Sequence, residues 1–263
     1  MADVCHGLFR PRPVILTVVE GGGVMEQVHL RAIALFKDLS EEALDELAAL
    51  MRPISYRAGD LIFQEGGPSI GLYVISEGLV QFGKLSGRRN RRRILKILGP
   101  GDIFGEEALF EPEVCACPGY ARALTDTSLA FVQRDVFLAF MERHPSVARH
   151  FCEWLTRELK IFECKLVELA YEPLEQNLLR LLLILMERFG VRDDQGICIN
   201  IELTRQHLAE MLGVHLDSVI HELSRLRDQG LLTFKKHYMV IVDAERLREL
   251  AQPQTTCLAE KLF

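Results

Sequence analysis

Two thiols one residue apart, Cys115 and Cys117, are the side chains of this sequence best equipped for chemistry. Thiolates bind soft metals, haem iron or iron–sulfur clusters, and they also serve as redox switches. The competing reading is a pair of ordinary loop thiols, because free cysteine mostly behaves as a small buried hydrophobe. Thiol redox catalysis is disfavoured: short β-runs surround the pair, whereas catalytic thiols are commonly activated at a helix N-terminus. No nucleophile-and-base constellation, phosphate-cradling loop or pair of catalytic carboxylates can be picked out, and the histidines lack metal-ligand spacing. The chain is therefore expected not to be an enzyme. Its cofactor is left open, with haem or an iron–sulfur cluster on Cys115 and Cys117 as the named alternatives.

These thiols fall in a region of short β-runs. From residue 54 to about 132 the chain alternates runs such as Leu72-Tyr73-Val74-Ile75 and Ile94-Leu95-Lys96-Ile97-Leu98 with glycine-rich breaks such as Gly99-Pro100-Gly101-Asp102. Several short strands at such intervals predict a compact β-barrel or roll. Ahead of it, Ser40 is a suitable N-cap for a helix carrying Leu44, Leu47, Ala48 and Met51. The run Arg88-Arg89-Asn90-Arg91-Arg92-Arg93 reads as a hairpin tip, either a solvated turn or a patch for a nucleic-acid backbone or a polymerase.

Beyond the β-region, Pro145 and Pro173 bracket a long helix in which Leu155, Leu159, Phe162, Leu166 and Leu169 are spaced four, three, four, three. That alternation is a coiled-coil seam, so these five are the expected interface of a homodimer; the alternative is a helix packed on its own barrel. Trp154 is expected in the interface core. An apolar helix over residues 174–189 follows, interrupted by Arg180 and closed by Gly190. Thr204 then caps a helix to Leu212, Gly213 makes a turn, and a second helix runs to about Asp228. Two β-runs flank the basic tip Lys235-Lys236-His237. Helix, glycine turn, helix and hairpin is the order of a winged helix-turn-helix.

Two stretches carry a resemblance. One is Tyr73-Val74-Ile75-Ser76-Glu77-Gly78 with Pro100-Gly101-Asp102-Ile103-Phe104-Gly105-Glu106; the other is Leu203-Thr204-Arg205-Gln206-His207-Leu208-Ala209-Glu210-Met211-Leu212-Gly213, continuing to Leu223-Ser224-Arg225-Leu226. In this order they resemble the cyclic-AMP receptor and fumarate-nitrate regulator (Crp/Fnr) family of bacterial transcription factors. The resemblance implies an α+β chain with an N-terminal cyclic-nucleotide-binding-like β-roll, a long dimerisation helix and a C-terminal winged helix-turn-helix. The expected division is a tail at 1–24, the roll at 25–134, the dimerisation region at 135–172, the DNA domain at 173–250 and a tail at 251–263. Expected partners are palindromic double-stranded DNA, RNA polymerase and a second copy of the chain.

Carried over to this sequence, the resemblance places His215, Leu216, Asp217, Ser218 and His221 on a DNA-reading face. Thr204, Arg205, Arg225, Arg227, Lys235 and Lys236 flank it as contacts to the backbone. Family members often carry arginine where this chain has His221, and sometimes where it has Leu216, so the usual bidentate guanine reader is missing. Histidine changes charge between pH 5 and 8 as a class, so DNA binding is expected to strengthen on mild acidification. In the roll the effector pocket is expected around Gly105, Glu106, Cys115, Cys117 and Arg122. Cyclic-nucleotide binders of the family follow Gly-Glu with an Arg-Ser or Arg-Thr pair that grips the phosphate. Here the stretch reads Val114-Cys115-Ala116-Cys117-Pro118-Gly119-Tyr120, with Arg122 as the substitute guanidinium nearby. Cyclic AMP is therefore not the expected effector. Cys117-Pro118 also resembles a short motif of some haem-responsive proteins.

The bulk numbers agree with a folded protein of this kind and object at one point. Hydrophobic residues make up 49% of 263 residues, enough for a sizeable core. The formal charge of -6 is unfavourable for phosphate contact over the whole surface, though it does not govern one local face. That charge keeps open a second reading, a protein-binding module with a degenerate helix-turn-helix. Seven scattered cysteines do not read as a secreted disulfide framework. No stretch approaches the length that spans a bilayer, and a cytoplasmic location is expected.

Overall fold

The structure, a computed structural model, describes residues 30–68, 70–86, 91–110 and 116–251. The expected tails at 1–24 and from 252 onward, Cys115, and residues 88–90 of the arginine run lie outside them. The described residues form two compact units that part between Glu158 and Leu159.

The first unit is the roll. Helix α1 (Glu41–Leu50) starts where Ser40 accepts a hydrogen bond from the Ala43 N–H at 3.2 Å, and it buries Ala43, Leu44, Leu47 and Ala48. Eight antiparallel strands follow among the described residues: β1 (Arg52–Tyr56), β2 (Leu61–Phe63), β3 (Gly71–Glu77), β4 (Val80–Ser86), β5 (Arg91–Leu98), β6 (Ile103–Phe104), β7 (Tyr120–Ala123) and β8 (Thr127–Gln133). They make two four-stranded sheets, ordered β1-β8-β3-β6 and β2-β7-β4-β5. Both faces of β3 are buried, and the period of two sorts its residues between two cores. Leu72 and Val74 join the helical layer, with Ala130 and Val132 of β8 beside them; Tyr73, Ile75 and Leu129 face the roll interior.

Helices α2 (Glu107–Phe110), α3 (Arg134–Arg143) and the start of α4 (Pro145–Tyr171) complete that layer. Phe36, Phe137, Phe140, Val147 and Phe151 are among its fully buried side chains. Trp154 packs on the same cluster, with its ring 5.6 Å from Phe151 and the Lys96 ammonium 5.8 Å above it. Part of the Trp154 surface expected in a dimer interface is thus packed within the chain, and the residue is half-buried. One turn on, α4 turns its apolar residues outward, and Leu159 and Leu166 are 61% and 73% exposed.

In the second unit α5 (Leu174–Phe189) buries Leu178, Leu179, Leu181, Leu182, Leu185 and Met186. Arg180, the charge that interrupts this run, is buried too and is neutralised by Glu172 at 3.1 Å. Gly190 ends the helix with φ -74°, not in the left-handed form expected of a glycine cap, and the chain enters strand directly. That strand, β9 (Gly190–Asp193), is missing from the sequence reading because Val191-Arg192-Asp193 has no apolar alternation. It pairs with β10 (Gly196–Ile199) in a sheet ordered β11-β12-β10-β9. The helices α6 (Arg205–Leu212) and α7 (Leu216–Asp228), the wing strands β11 (Leu232–Lys235) and β12 (Tyr238–Ile241), and α8 (Ala244–Leu250) complete the winged helix-turn-helix.

Candidate functional site

The turn between α6 and α7 is set by local chemistry. Thr204 Oγ1 accepts the His207 N–H at 3.1 Å, and the Thr204 N–H donates to His207 Nδ1 at 3.3 Å, a capping box closed by an imidazole. Gly213 takes φ 68°, a left-handed conformation that favours glycine, and its N–H donates to the Ala209 carbonyl at 2.8 Å. The two helices then meet through Leu208, Ala209, Met211 and Leu212 on α6 and Val219, Leu223 and Leu226 on α7, all buried.

With that stripe buried, α7 presents its other side to solvent. His215, Leu216, Asp217 and His221 are exposed and Ser218 is half-buried, so the five expected readers are brought together on one helix end. His215 is the N-cap residue but makes no side-chain cap, which leaves its imidazole uncommitted to the helix. Val214 and Ile220, both exposed, join this surface and were not singled out from sequence. Their signal was legible: Ile220 lies four residues after Leu216, hence on the same helix face.

The flanking cations divide. Arg225 bonds Glu175 at 2.5 Å and Glu222 at 2.9 Å, and hydrogen bonding to these carboxylates raises its pKa further above the usual range. It ties α7 to α5. Lys235 pairs with Asp193 at 2.7 Å, which holds that carboxyl below its ordinary value and raises the ammonium. Arg205 lies over the Phe234 ring at 4.9 Å, joining α6 to the wing. Arg227 pairs with Asp228. Lys236 is exposed at the wing tip with φ 57° and makes no ion pair among the described residues. Of the expected phosphate contacts, then, Arg225, Arg227 and Lys235 already serve intrachain carboxylates.

In the roll, the interior is filled by aromatic rings. Tyr73 stacks on Phe104 at 4.9 Å and meets Phe131 at 4.8 Å, while Phe63 contacts Tyr73, Phe82 and Phe104 at 5.9–6.4 Å. Burial pushes the Tyr73 hydroxyl up to about 12, with Tyr56 and Cys117 adding to it. Cys117 is only 4% exposed. Its N–H donates to the Gly67 carbonyl at 2.7 Å, and its own carbonyl accepts the Gly66 N–H at 2.9 Å, which pins it to the loop after β2.

Gly105 has φ 84°, and a Cβ there would stand 2.6 Å from the Gly71 carbonyl oxygen. Next to it the Glu106 carboxyl is pushed up to about 7, first by burial and then by Glu107, against the pull of Lys96. Lys96 itself bonds Glu158 at 2.5 Å, which joins β5 to α4.

Arg122 lies on the other face of its strand from the aromatic rings. Its neighbour Ala121 faces the interior with Phe82, so strand alternation turns Arg122 to the opposite face beside Gln81 and Leu61. There one of its terminal nitrogens donates to the Gly59 carbonyl at 2.5 Å. Strand register thus sets the guanidinium expected near the effector on the face opposite the aromatic rings. No group of three metal-ligating side chains is arranged to hold an ion among the described residues.

The matches to known proteins fall on these same two units. Residues 53–144 match the model of the cyclic nucleotide-binding domain, and residues 176–250 match that of the Crp-like helix-turn-helix domain. The chain belongs to the Crp/Fnr family. It is a transcriptional regulator of that type, with a DNA-binding helix-turn-helix. Among relatives, the "CRP-like cAMP-activated global transcriptional regulator" of Mycobacterium tuberculosis is 26% identical over 230 residues, 87% of this chain and all of the relative. The "Cyclic AMP receptor protein" of Thermus thermophilus is 27% identical, with 84% of this chain and 98% of that protein covered. Among solved structures, FixK2 of Bradyrhizobium japonicum superposes with a TM-score of 0.66 at 26% identity, covering 78% of this chain and 99% of that one.

Within this Crp/Fnr regulator the seam residues Leu155, Leu159, Phe162 and Leu166 are all exposed in the single chain. The side chain of Leu169 lies outside the described residues. No helix among the described residues is long and apolar enough to cross a membrane.

Proposed function

We propose that this regulator binds palindromic DNA as a homodimer, in the cytoplasm, and that its roll answers a signal other than cyclic AMP. The observation that carries the second half is the state of Cys117. It stands, buried and pinned by two backbone hydrogen bonds, in the stretch where the family's phosphate-gripping arginine is expected. A cyclic phosphate without a guanidinium loses a charge-assisted bidentate contact, and Arg122 points to the other face of its strand. The interior rings leave hydrocarbon where a nucleotide would need donors. Calorimetry with cyclic AMP tests this, and the expected result is no heat of binding at micromolar protein; a micromolar Kd overturns it.

The dimer is supported by the exposed seam, since four large apolar side chains at coiled-coil spacing are an unfavourable surface for a monomer. Light scattering should give a dimer for the wild type and a monomer for Leu159→Glu. An intact dimer in that variant moves the interface elsewhere. Contact with RNA polymerase is part of the same proposal, by likeness to the family. Cys115 and Cys117 keep their place as candidate thiols for a redox signal, haem or an iron–sulfur cluster; replacing both with serine should abolish the response and leave the dimer whole.

A further inference from the structure

We infer that the reading helix recognises thymine methyl groups through Leu216 and Ile220, so that each half-site of the operator carries thymine at the step they reach. The inference rests on the DNA-binding reading of α7 and deepens it. Leu216 and Ile220 are 37% and 39% exposed, and Val214 in the preceding turn is 36% exposed. One helical turn apart on α7, the first two form an apolar stripe beside the polar stripe of Asp217 and His221.

An exposed apolar stripe on a surface helix is unfavourable in water, and the buried side of α7 is already supplied by Val219, Leu223 and Leu226. Leu216 is the first residue of the helix, and the N-terminal residues of the second helix in this motif are those that meet base edges. In the major groove the hydrocarbon group available to such a side chain is the C5-methyl of thymine. The surroundings suit a nucleic-acid occupant: His215 and His221 flank the stripe, and Arg205 and Lys236 stand exposed on α6 and the wing of the same domain. Specificity then comes from shape and desolvation at this step, with Asp217 offering an acceptor for a cytosine amino group next to it.

The test starts with selection of binding sites for the full-length protein from a random duplex library at fixed salt. Thymine is then replaced by deoxyuridine, which lacks the methyl group, at one position of both half-sites at a time. At the contacted step affinity should fall about fourfold per methyl group, or roughly fifteenfold for the pair of half-sites. In Leu216→Ala or Ile220→Ala the same replacement should cost little, because the partner of the methyl is gone. Both side chains are partly exposed, so either variant folds, and the other serves if one does not. If deoxyuridine is tolerated at every position of a tightly bound site, the inference is overturned while the DNA-binding reading stands. If no duplex is enriched at all, both fall together.

Discussion

The roll and the reading helix each carry another residue where the family resemblance leads one to expect an arginine, and they differ in how that residue is held. In the roll that residue stands in the stretch of Cys117, which is buried and fixed by two backbone hydrogen bonds. On α7 it is His221, exposed and bonded to nothing that holds the fold together. A change at a solvent-facing position alters what is read and leaves the scaffold intact. A change inside a closed core alters what the core can admit, and the neighbours adapt with it.

Placing arginine at both positions breaks or sharpens that contrast. Cys117→Arg should destabilise the roll by about 3 kcal/mol or more, because a guanidinium is forced into a filled apolar space without a carboxylate. Thermal unfolding measures it, and an unchanged Tm would mean that the interior is open after all. The buried carboxylate of the same region gives the next effect. Glu106 titrates near 7 in the folded roll against 4.5 when exposed, so between these values the folded state holds a proton that the unfolded state has released. The contribution of Glu106 to stability should accordingly be fully present below pH 4.5, fall as the pH rises to about 7, and level off beyond. The difference in denaturant midpoint between the wild type and Glu106→Gln should show that decline across this range, and a constant difference would remove the role of Glu106.

On the other side of the comparison, His221→Arg should leave unfolding unchanged and strengthen DNA binding by about 1–3 kcal/mol at a site offering guanine. Fluorescence anisotropy at constant salt reads this, and loss of stability in that variant would show His221 to be part of the scaffold. The smallest effect belongs to the cap. Thr204→Ala removes the acceptor of the His207 N–H and should cost about 1 kcal/mol of stability. Its DNA affinity should fall by no more than that, since the cap positions α6 and reaches the groove only through it.

Much of the architecture was legible in the chain itself, for physical reasons that can be named. Ser40 and Thr204 act as caps, and Gly213 takes the left-handed turn, because each needs only its neighbours three or four residues away. The seam from Leu155 to Leu166 was legible for the same reason: helical spacing is a local property. Strand β9 was not, because a hydrophilic edge strand gains its backbone bonds from β10 and carries no alternation of its own.

The sequence by itself determined the two kinds of domain, the order of their elements, and the candidate residues of the reading helix. The tertiary structure alone decided which of those residues are free to act. It turned Arg122 away from the interior rings through strand register, gave Arg225 to Glu175 and Lys235 to Asp193, packed one side of Trp154 on the helical layer, and left Leu216 and Ile220 partly exposed. The reason is range. Caps, turns and periodicity are settled within one turn of helix or one step of strand. The partner of a long charged side chain, and the face a strand residue occupies, are fixed by segments far away in sequence, as Lys235 and Asp193 are from each other.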